Sequence, residues 1–349
     1  METSPEITSE ITSVLRAAVE AGRWAPSVHN TQPWSFVIDG SELALRADDE
    51  RRLRLGDATG RQMLIGCGAA LLNVRLALRA LGHEPVVRVL PDPDRPALVA
   101  TVRAGQAVTA DDDTRLLYAE IERRRTHRAG FTDLPVPDRL LRALAARAGT
   151  EGAHLRPVTS EAGTRILAQI TGAAQDALSR DRPADLEVAR WARPPGSGRT
   201  DGVPATGYPR EPRVTRPHFA QRDYAHGHPW GGDDDQFFST STGVVAILTT
   251  SDDRRPDRVG AGQALQRLLL HACAHGVSAA FHTQALENPH LRAFLSEELC
   301  DGRHPQMIMR LGVTFDRSSA VRRPVGDILD ERRPSAPSRP WPSASGREA

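Results

Sequence analysis

The chain has no lysine: all 45 of its basic residues are arginine, set against 44 acidic residues. That absence excludes Schiff-base chemistry on a lysine, pyridoxal phosphate enzymes included. It also means that any bound phosphate is held by guanidinium forks, whose geometry suits it. With charge nearly balanced, there is no electrostatic footprint for nucleic acid or an anionic membrane surface. Cysteine is scarce, and Cys67, Cys273 and Cys300 are too few and too scattered for a disulfide framework. The first two fall in apolar helical stretches and read as small buried residues. No apolar run approaches the roughly 20 residues that span a bilayer, and the acidic N-terminus lacks the apolar core of a signal peptide. A soluble, cytoplasmic protein without nucleic-acid or membrane partners is expected. At 349 residues it can bury a large core and has room for more than one domain.

What the chain does have is one unusual stretch, Ala25-Pro26-Ser27-Val28-His29-Asn30-Thr31-Gln32-Pro33-Trp34. Ahead of it, Ile7, Ile11, Val14, Leu15, Ala18 and Val19 share one helical face. After it, Ser35–Ile38 reads as a strand entering an Asp39-Gly40 turn, with Glu42–Arg46 returning. Its two prolines stop the helix from continuing. Small, hydroxyl and amide side chains in such a segment can present N–H groups and an Asn/Gln pair to a flat polar ligand. An ordinary helix-to-strand loop capped by Ser27 or Asn30 accounts for the same composition.

Further along, Gln62 to Leu81 is apolar on nearly all faces, as a central buried helix is, and Gly82 closes it. Strands follow at Val86–Leu90 and Leu98–Val102. Residues 114–128 read as a helix ending in the charge run Glu122-Arg123-Arg124-Arg125-Thr126-His127-Arg128, and Leu140–Ala148 as an amphipathic helix. A strand at 154–158 and a helix at 161–179 precede a Pro/Gly/Arg/Asp-rich segment, 181–235. Trp191, Tyr208, Phe219, Tyr224 and Trp230 anchor that segment, which reads as a lid. His226 and His228 lie within it. A strand at Val244–Thr249, a second apolar helix from Gly262 to His275 closed by Gly276, and strands at Val277–Phe281 and Gln306–Val313 complete the pattern. The tail beyond Arg332 is Pro/Ser-rich and reads as disordered.

The two buried helices, each closed by glycine and followed by a strand, and each preceded by an amphipathic helix and a strand, form an internal repeat. Two α+β lobes built alike, 1–113 and 114–332, amount to a symmetric dimer fused into one chain. Gly66-Cys67-Gly68 lies inside a buried helix and lacks a third glycine, so it is not a dinucleotide fingerprint. His271, Cys273 and His275 have no carboxylate or cysteine pair beside them and read as structural, so no metal is expected.

Pro-Ser-x-x-Asn-x-Gln-Pro-Trp resembles the loop with which flavin-dependent nitroreductases contact the flavin ring. Together with the pieces below, the chain resembles the nitroreductase superfamily, in its Acg-like branch of fused single chains. The resemblance implies a nitroreductase-like α+β fold and FMN as cofactor, with NAD(P)H and a small-molecule substrate as partners. It places Pro26, Ser27, Val28, His29, Asn30 and Gln32 at the ring. Arg124, Arg125, Thr126, His127 and Arg128 resemble the family's phosphate- and ribityl-binding start, and Arg128 suits the negative charge near N1. Thr283 and Gln284 fall where the family offers backbone N–H groups to N5. Arg322 and Arg323 fall beside the phosphate, with Ala320 standing where the family carries its first basic residue. Because the ring loop belongs to the first lobe and the arginine cluster to the second, one FMN per chain is implied. The expected states are a monomer with an internal pseudo-dimer, or a weak homodimer. An NAD(P)H-dependent oxidoreductase, a flavin-sequestering protein whose 181–235 lid blocks the nicotinamide, and a tailoring enzyme for one metabolite all fit that frame.

Overall fold

The computed structural model describes residues 5–211, 214–232, 239–315 and 320–332. The side chains of residues 5–8, Ile7 among them, and the tail beyond Arg332 lie outside the described residues.

The first lobe runs α1 (Pro5–Gly22), β1 (Trp34–Asp39), β2 (Glu42–Ala47), α2 (Arg61–Ala80), β3 (His83–Val89) and β4 (Leu98–Ala107). A short α3 (Asp112–Glu120) leads to the second lobe. There α4 (Asp138–Gly149) and β5 (His154–Pro157) are followed by α5 (Glu161–Arg180), α6 (Arg182–Ala189) and the two-residue strands β6 (Ala192–Arg193) and β7 (Val203–Pro204). Then come β8 (Val244–Thr250), α7 (Arg255–Ala274), β9 (Val277–Phe281), α8 (Gln284–Glu287), α9 (Pro289–Leu299) and β10 (His304–Val313). Last is β11 (Leu329–Arg332).

The repeat read from sequence is visible in the sheets. The first is ordered β1-β2-β4-β3 and the second β5-β8-β10-β9, all antiparallel. Strand for strand these are one topology, each with its buried helix, α2 or α7, inserted after the second strand. The lobes meet where those helices cross, and glycine makes the crossing possible. A Cβ on Gly68 would lie 2.1 Å from the Val259 carbonyl oxygen, and one on Gly262 would lie 2.0 Å from that of Ile65. The Gly66-Cys67-Gly68 run therefore serves helix packing. Across the same crossing, Gln266 Nε2 donates to Asn73 Oδ1 (2.8 Å) and Asn73 Nδ2 to the Ala21 carbonyl (3.0 Å). These bonds engage both ends of the Asn73 amide and the Gln266 nitrogen, groups that would otherwise be costly to bury, while Gln266 Oε1 has no partner among the described residues.

Around this crossing each lobe has its own apolar core, and each core takes in residues of the other lobe's central helix: Val259 and Leu270 in the first, Ile65 in the second. Leu15, Ala18 and Val19 of α1 are fully buried against α2, as their spacing requires. By length and composition α2 could cross a membrane, contrary to the expectation that no run approaches that length. In the fold it is a core helix, with 83% of its most apolar window buried.

Three sequence expectations change. The helix expected over 114–128 ends at Glu120, because Thr126 forms a bridge with Ala279 beside β9 and the His127 N–H bonds the Ala279 carbonyl. That register needs extended backbone, so the arginine run is not a helix end. The lobe boundary at 332 is also too late: β11 leaves the second lobe and pairs parallel with β1, extending the first sheet. Finally, the insertion is larger than 181–235. Where the first lobe joins β1 to β2 by an Asp39-Gly40 turn, the second joins β5 to β8 through residues 158–243, α5 and α6 included.

Candidate functional site

A cleft opens where the loop after α1, the start of α2, the segment after α3, the end of β9 and the insertion converge. Its floor is apolar: Ile65 and Gly66 of α2, Leu265 of α7, Phe281 and Met307. A smaller basic chamber shares Pro26, Ser27, Thr126 and Arg128 with it, and adds Asn30, Arg124, Ala320 and Arg322. The two halves of the sequence thus supply complementary walls, one hydroxyl- and amide-bearing, the other cationic.

The loop that closes the first wall is held in a strained form. His29, Asn30 and Gln32 all have left-handed φ (47°, 55° and 51°), a conformation that costs a non-glycine residue on the order of 1 kcal/mol or more. Hydrogen bonds hold it there. The Gln32 N–H donates to Ser27 Oγ (2.9 Å). Asn30 Nδ2 donates to the carbonyls of Gly202 (2.9 Å) and Val321 (3.1 Å), while its Oδ1 accepts from Arg322 (3.0 Å). Gln32 Nε2 donates to the Thr200 carbonyl (2.9 Å) and its Oε1 accepts from the Arg323 N–H (2.8 Å). Both amides are therefore committed to the insertion and the C-terminal segment. Asn30 borders the basic chamber, whereas Gln32 is fully buried and lines neither space. Pro26, Ser27, Val28 and His29 do face the main cleft.

The cationic wall also differs from a solvated charge run. Arg124 is 3% exposed and Arg322 8% exposed, each with an Nε that has no partner. Neither they nor Arg125 or Arg128 form a salt bridge among the described residues. Burial pushes the Arg124 guanidinium down to about 10, with Arg125 adding repulsion. Burial likewise holds Arg322 well below its ordinary range, helped by repulsion from Arg124, Arg125, Arg128 and Arg23. Arg125 stands behind the chamber, its guanidinium 5.4 Å from the Trp24 ring centroid, and Arg23 (5.0 Å) and Arg322 (5.6 Å) crowd the same indole. Arg323 turns away, donating to the carbonyls of Trp34 (3.4 Å) and Asp327 (2.6 Å). Gathered guanidinium charge of this kind, desolvated and without a carboxylate, is the arrangement an anion such as a phosphate completes.

Of the remaining residues named from sequence, Thr126 and His127 border the cleft, but the His127 ring is spent on the Gly130 carbonyl (2.8 Å) and on Phe131. Thr283 lines the cleft and Gln284 does not: its Nε2 donates to Gln175 Oε1 (3.2 Å) and to the Ala220 carbonyl (3.3 Å).

Several lining residues carried no sequence signal of their own. Arg222, Gln221, Tyr208 and Tyr224 come from the insertion, and only their membership of an aromatic-rich segment pointed to them. Arg222 makes a close ion pair with Glu287 at the end of α8, which also accepts from Gln62 Nε2 (3.2 Å). Tyr224 Oη lies 2.9 Å from His29 Nδ1. Burial, aided by Arg222 and Arg128, keeps the His29 imidazole neutral by lowering it well below its usual range. Arg310 on β10 is fully buried beneath the cleft. Its Nε donates to His282 Nε2 (2.8 Å), so His282 carries its proton on Nδ1, facing the Ala220 carbonyl (3.1 Å).

The corresponding place in the other lobe carries different groups. Gly66 faces the Pro26 carbonyl of the loop after α1, and on α7 Gly260 faces the Glu151 carbonyl after α4. There, however, Glu151 accepts from Arg75 (2.7 Å) and Arg267 (2.8 Å).

A model of the nitroreductase family matches residues 8–110. Over 304 residues the chain is 33% identical to a Mycobacterium tuberculosis protein provisionally named as an NAD(P)H nitroreductase, Rv3131, covering 86% of this chain and 84% of that one. It is 25% identical to the acg protein of the same organism, also provisionally named as an NAD(P)H nitroreductase, over 92% of this chain and 96% of that one. Among solved structures, a nitroreductase-like protein of Anabaena variabilis aligns over 90% of both chains with 11% identity and a TM-score of 0.49. The FMN-dependent nitroreductase NfnB of Mycobacterium smegmatis, solved with NADPH, aligns over 65% of this chain and 96% of its own, with 20% identity and a TM-score of 0.36. On its relatives and its repeated α+β lobes together, the chain belongs to the nitroreductase family of oxidoreductases, in the Acg-like branch.

Proposed function

We propose that the chain binds one FMN in the inter-lobe cleft and uses NAD(P)H to reduce a small organic acceptor. The observation that carries this reading is the basic chamber: Arg124 and Arg322, buried and without a carboxylate partner, open onto the same cleft as the strained loop of Ser27 and His29. These residues fit a flavin phosphate, because two guanidinium Nε groups there still need an acceptor. Arg124, Arg128, Arg322 and Thr126 would hold the phosphate and ribityl side, with Pro26 to His29 and Thr283 flanking the ring. Bound there, FMN would supply hydride and electron transfer between nicotinamide and acceptor. The chain's own work is to position and to insulate: the Leu265–Met307 floor excludes water, Arg128 places positive charge at the cleft, and His29 stays uncharged. One site per chain is supported by the Glu151 ion pairs with Arg75 and Arg267 at the corresponding place of the other lobe, and a monomer by the two fused lobes.

A second reading, flavin sequestration with slow turnover, is favoured by one observation. The insertion is fastened on both sides of the cleft, through Asn30 and Gln32 on one side and Glu287 on the other. A visible spectrum of the purified protein decides between them. A yellow protein that bleaches within seconds of adding NADPH supports turnover, and one that stays oxidised supports sequestration. A colourless protein that takes up no FMN sinks both.

A further inference from the structure

Two buried donors in the main cleft have no work inside the protein. Tyr208 is 5% exposed, and its hydroxyl has no hydrogen-bond partner among the described residues. Gln221 Nε2 is likewise buried and without a partner. Both side chains line the cleft and neither lines the basic chamber. Both come from the insertion, the part of the second lobe that the first lobe lacks. The neighbouring hydroxyl, Tyr224 Oη, is already engaged by His29. A desolvated donor without an acceptor destabilises the free protein, so a pair of them converging on one cavity marks the place of a ligand oxygen.

The charged side chains that line that place are arginines, with the exposed Asp223 carboxylate near Tyr208 outside the lining. Arg128 and Arg310 both line the cleft without a carboxylate partner among the described residues, and the buried Glu287 beside it is matched by Arg222. Its walls are flat and aromatic, with the Tyr208 and Tyr224 centroids 5.5 Å apart and Phe281 on the floor. We infer that the cleft contains a subsite for a planar aromatic anion, a carboxylate or a phenolate, whose oxygen is received by the Tyr208 hydroxyl and the Gln221 amide. This deepens the FMN reading by naming the acceptor's chemical class, and rests on it for the acceptor's role though not for binding itself.

The test is calorimetric titration of the protein as purified with 4-hydroxybenzoate and, as a neutral control, its methyl ester. FMN content is measured separately from the visible absorbance. The acid binds more tightly than the ester. In Y208F and in Q221A its affinity falls about tenfold, the size of one lost hydrogen bond to a charged group, while FMN content is unchanged. The melting temperature of ligand-free Y208F stays level or rises, because an unsatisfied group has gone; a merely structural hydroxyl would give a fall. The inference is overturned by acid and ester binding alike, by no binding at millimolar acid, by variants that bind as wild type, or by variants that lose FMN in place of the acid. A protein that takes up no added FMN yet still shows the Y208F defect refutes the cofactor reading and leaves the subsite standing.

Discussion

Arg322 and Asn30 are 292 positions apart in sequence and 3.0 Å apart in space, Nη1 donating to Oδ1. Through this bond the C-terminal segment locks the loop that opens the cleft, and the same Asn30 amide holds the insertion at Gly202. One side chain thus joins three distant parts of the chain. Asn30→Ala removes three hydrogen bonds, leaves a buried guanidinium underused, and retains a left-handed φ that alanine dislikes. A loss of about 3 kcal/mol is expected in urea denaturation. Asn30→Gly loses the same bonds without the backbone strain, so it falls about 1 kcal/mol less. Equal losses in the two variants would show that strain contributes nothing here.

Gly68 and Gly262 set the second prediction. A methyl at either must displace a backbone carbonyl on the opposite helix, not a flexible side-chain tip. Gly262→Ala is expected to destabilise by more than about 3 kcal/mol, as overpacking against rigid atoms does. Gly172→Ala in α5 meets nothing within 4 Å and gains about 0.5–1 kcal/mol from helix propensity. Chemical denaturation midpoints of the two variants should move in opposite directions.

The order of elements was legible because its causes are local. Leu15, Ala18 and Val19 recur at helical spacing, and Gly82 and Gly276 sit where left-handed caps end the buried helices. The repeat could be read because each lobe spends the same pattern on the same topology. What escaped was whatever depends on distant partners. Gln32 carries the composition of a ligand-facing amide, yet Thr200 and Arg323 claim it. Arg124 resembles a surface charge until Thr126 pairs with Ala279 and turns the backbone inward. Tyr208 and Arg222 reach the cleft only because an insertion replaces a two-residue turn, and no periodicity encodes where its residues land.

Asp57 gives a pH prediction. Its carboxylate caps α2, accepting from the N–H groups of Gln62 (3.0 Å) and Met63 (2.8 Å), but burial dominates and pushes it from 3.8 up to about 6. Since the folded protein holds this proton more tightly than the unfolded chain, the contribution is fully present below about pH 4. It is lost as pH rises through about 6, and amounts to roughly 3 kcal/mol. Burial raises Glu287 in the same direction. Asp57→Asn should therefore flatten the fall in stability between pH 4 and 7, leaving a smaller slope from Glu287. An unchanged slope in this variant would assign the titration to other groups.

The mutual repulsion of Arg124, Arg125, Arg128 and Arg322 predicts that small anions stabilise the cofactor-free protein. Inorganic phosphate at 100 times its dissociation constant adds about 2.7 kcal/mol by mass action. Arg322→Ala relieves the repulsion, so the variant alone is less destabilised than a buried-residue truncation would suggest, and its response to phosphate shrinks. Melting curves with phosphate and with chloride at equal ionic strength separate specific binding from screening. Equal shifts from the two salts would remove the anion site.

Glu287 carries the last prediction, because it holds the insertion down on the second lobe. Its carboxylate is bonded by Arg222, Gln62 (3.2 Å) and Thr283 (3.4 Å), and both ion-pair partners are nearly buried. Glu287→Gln leaves the Arg222 cation without its counter-charge in a desolvated place, which costs several kcal/mol unless the segment lifts into water. Lifting is the cheaper response, since residues 214–232 contribute few strand bonds that resist it. Amide exchange across Phe219 to Tyr224 should quicken at least tenfold, while α2 and α7 keep their protection. If the insertion limits nicotinamide access, flavin bleaching by NADPH accelerates in the same variant. If exchange quickens and bleaching does not, the insertion moves without gating the chemistry, and the sequestration reading loses its physical basis.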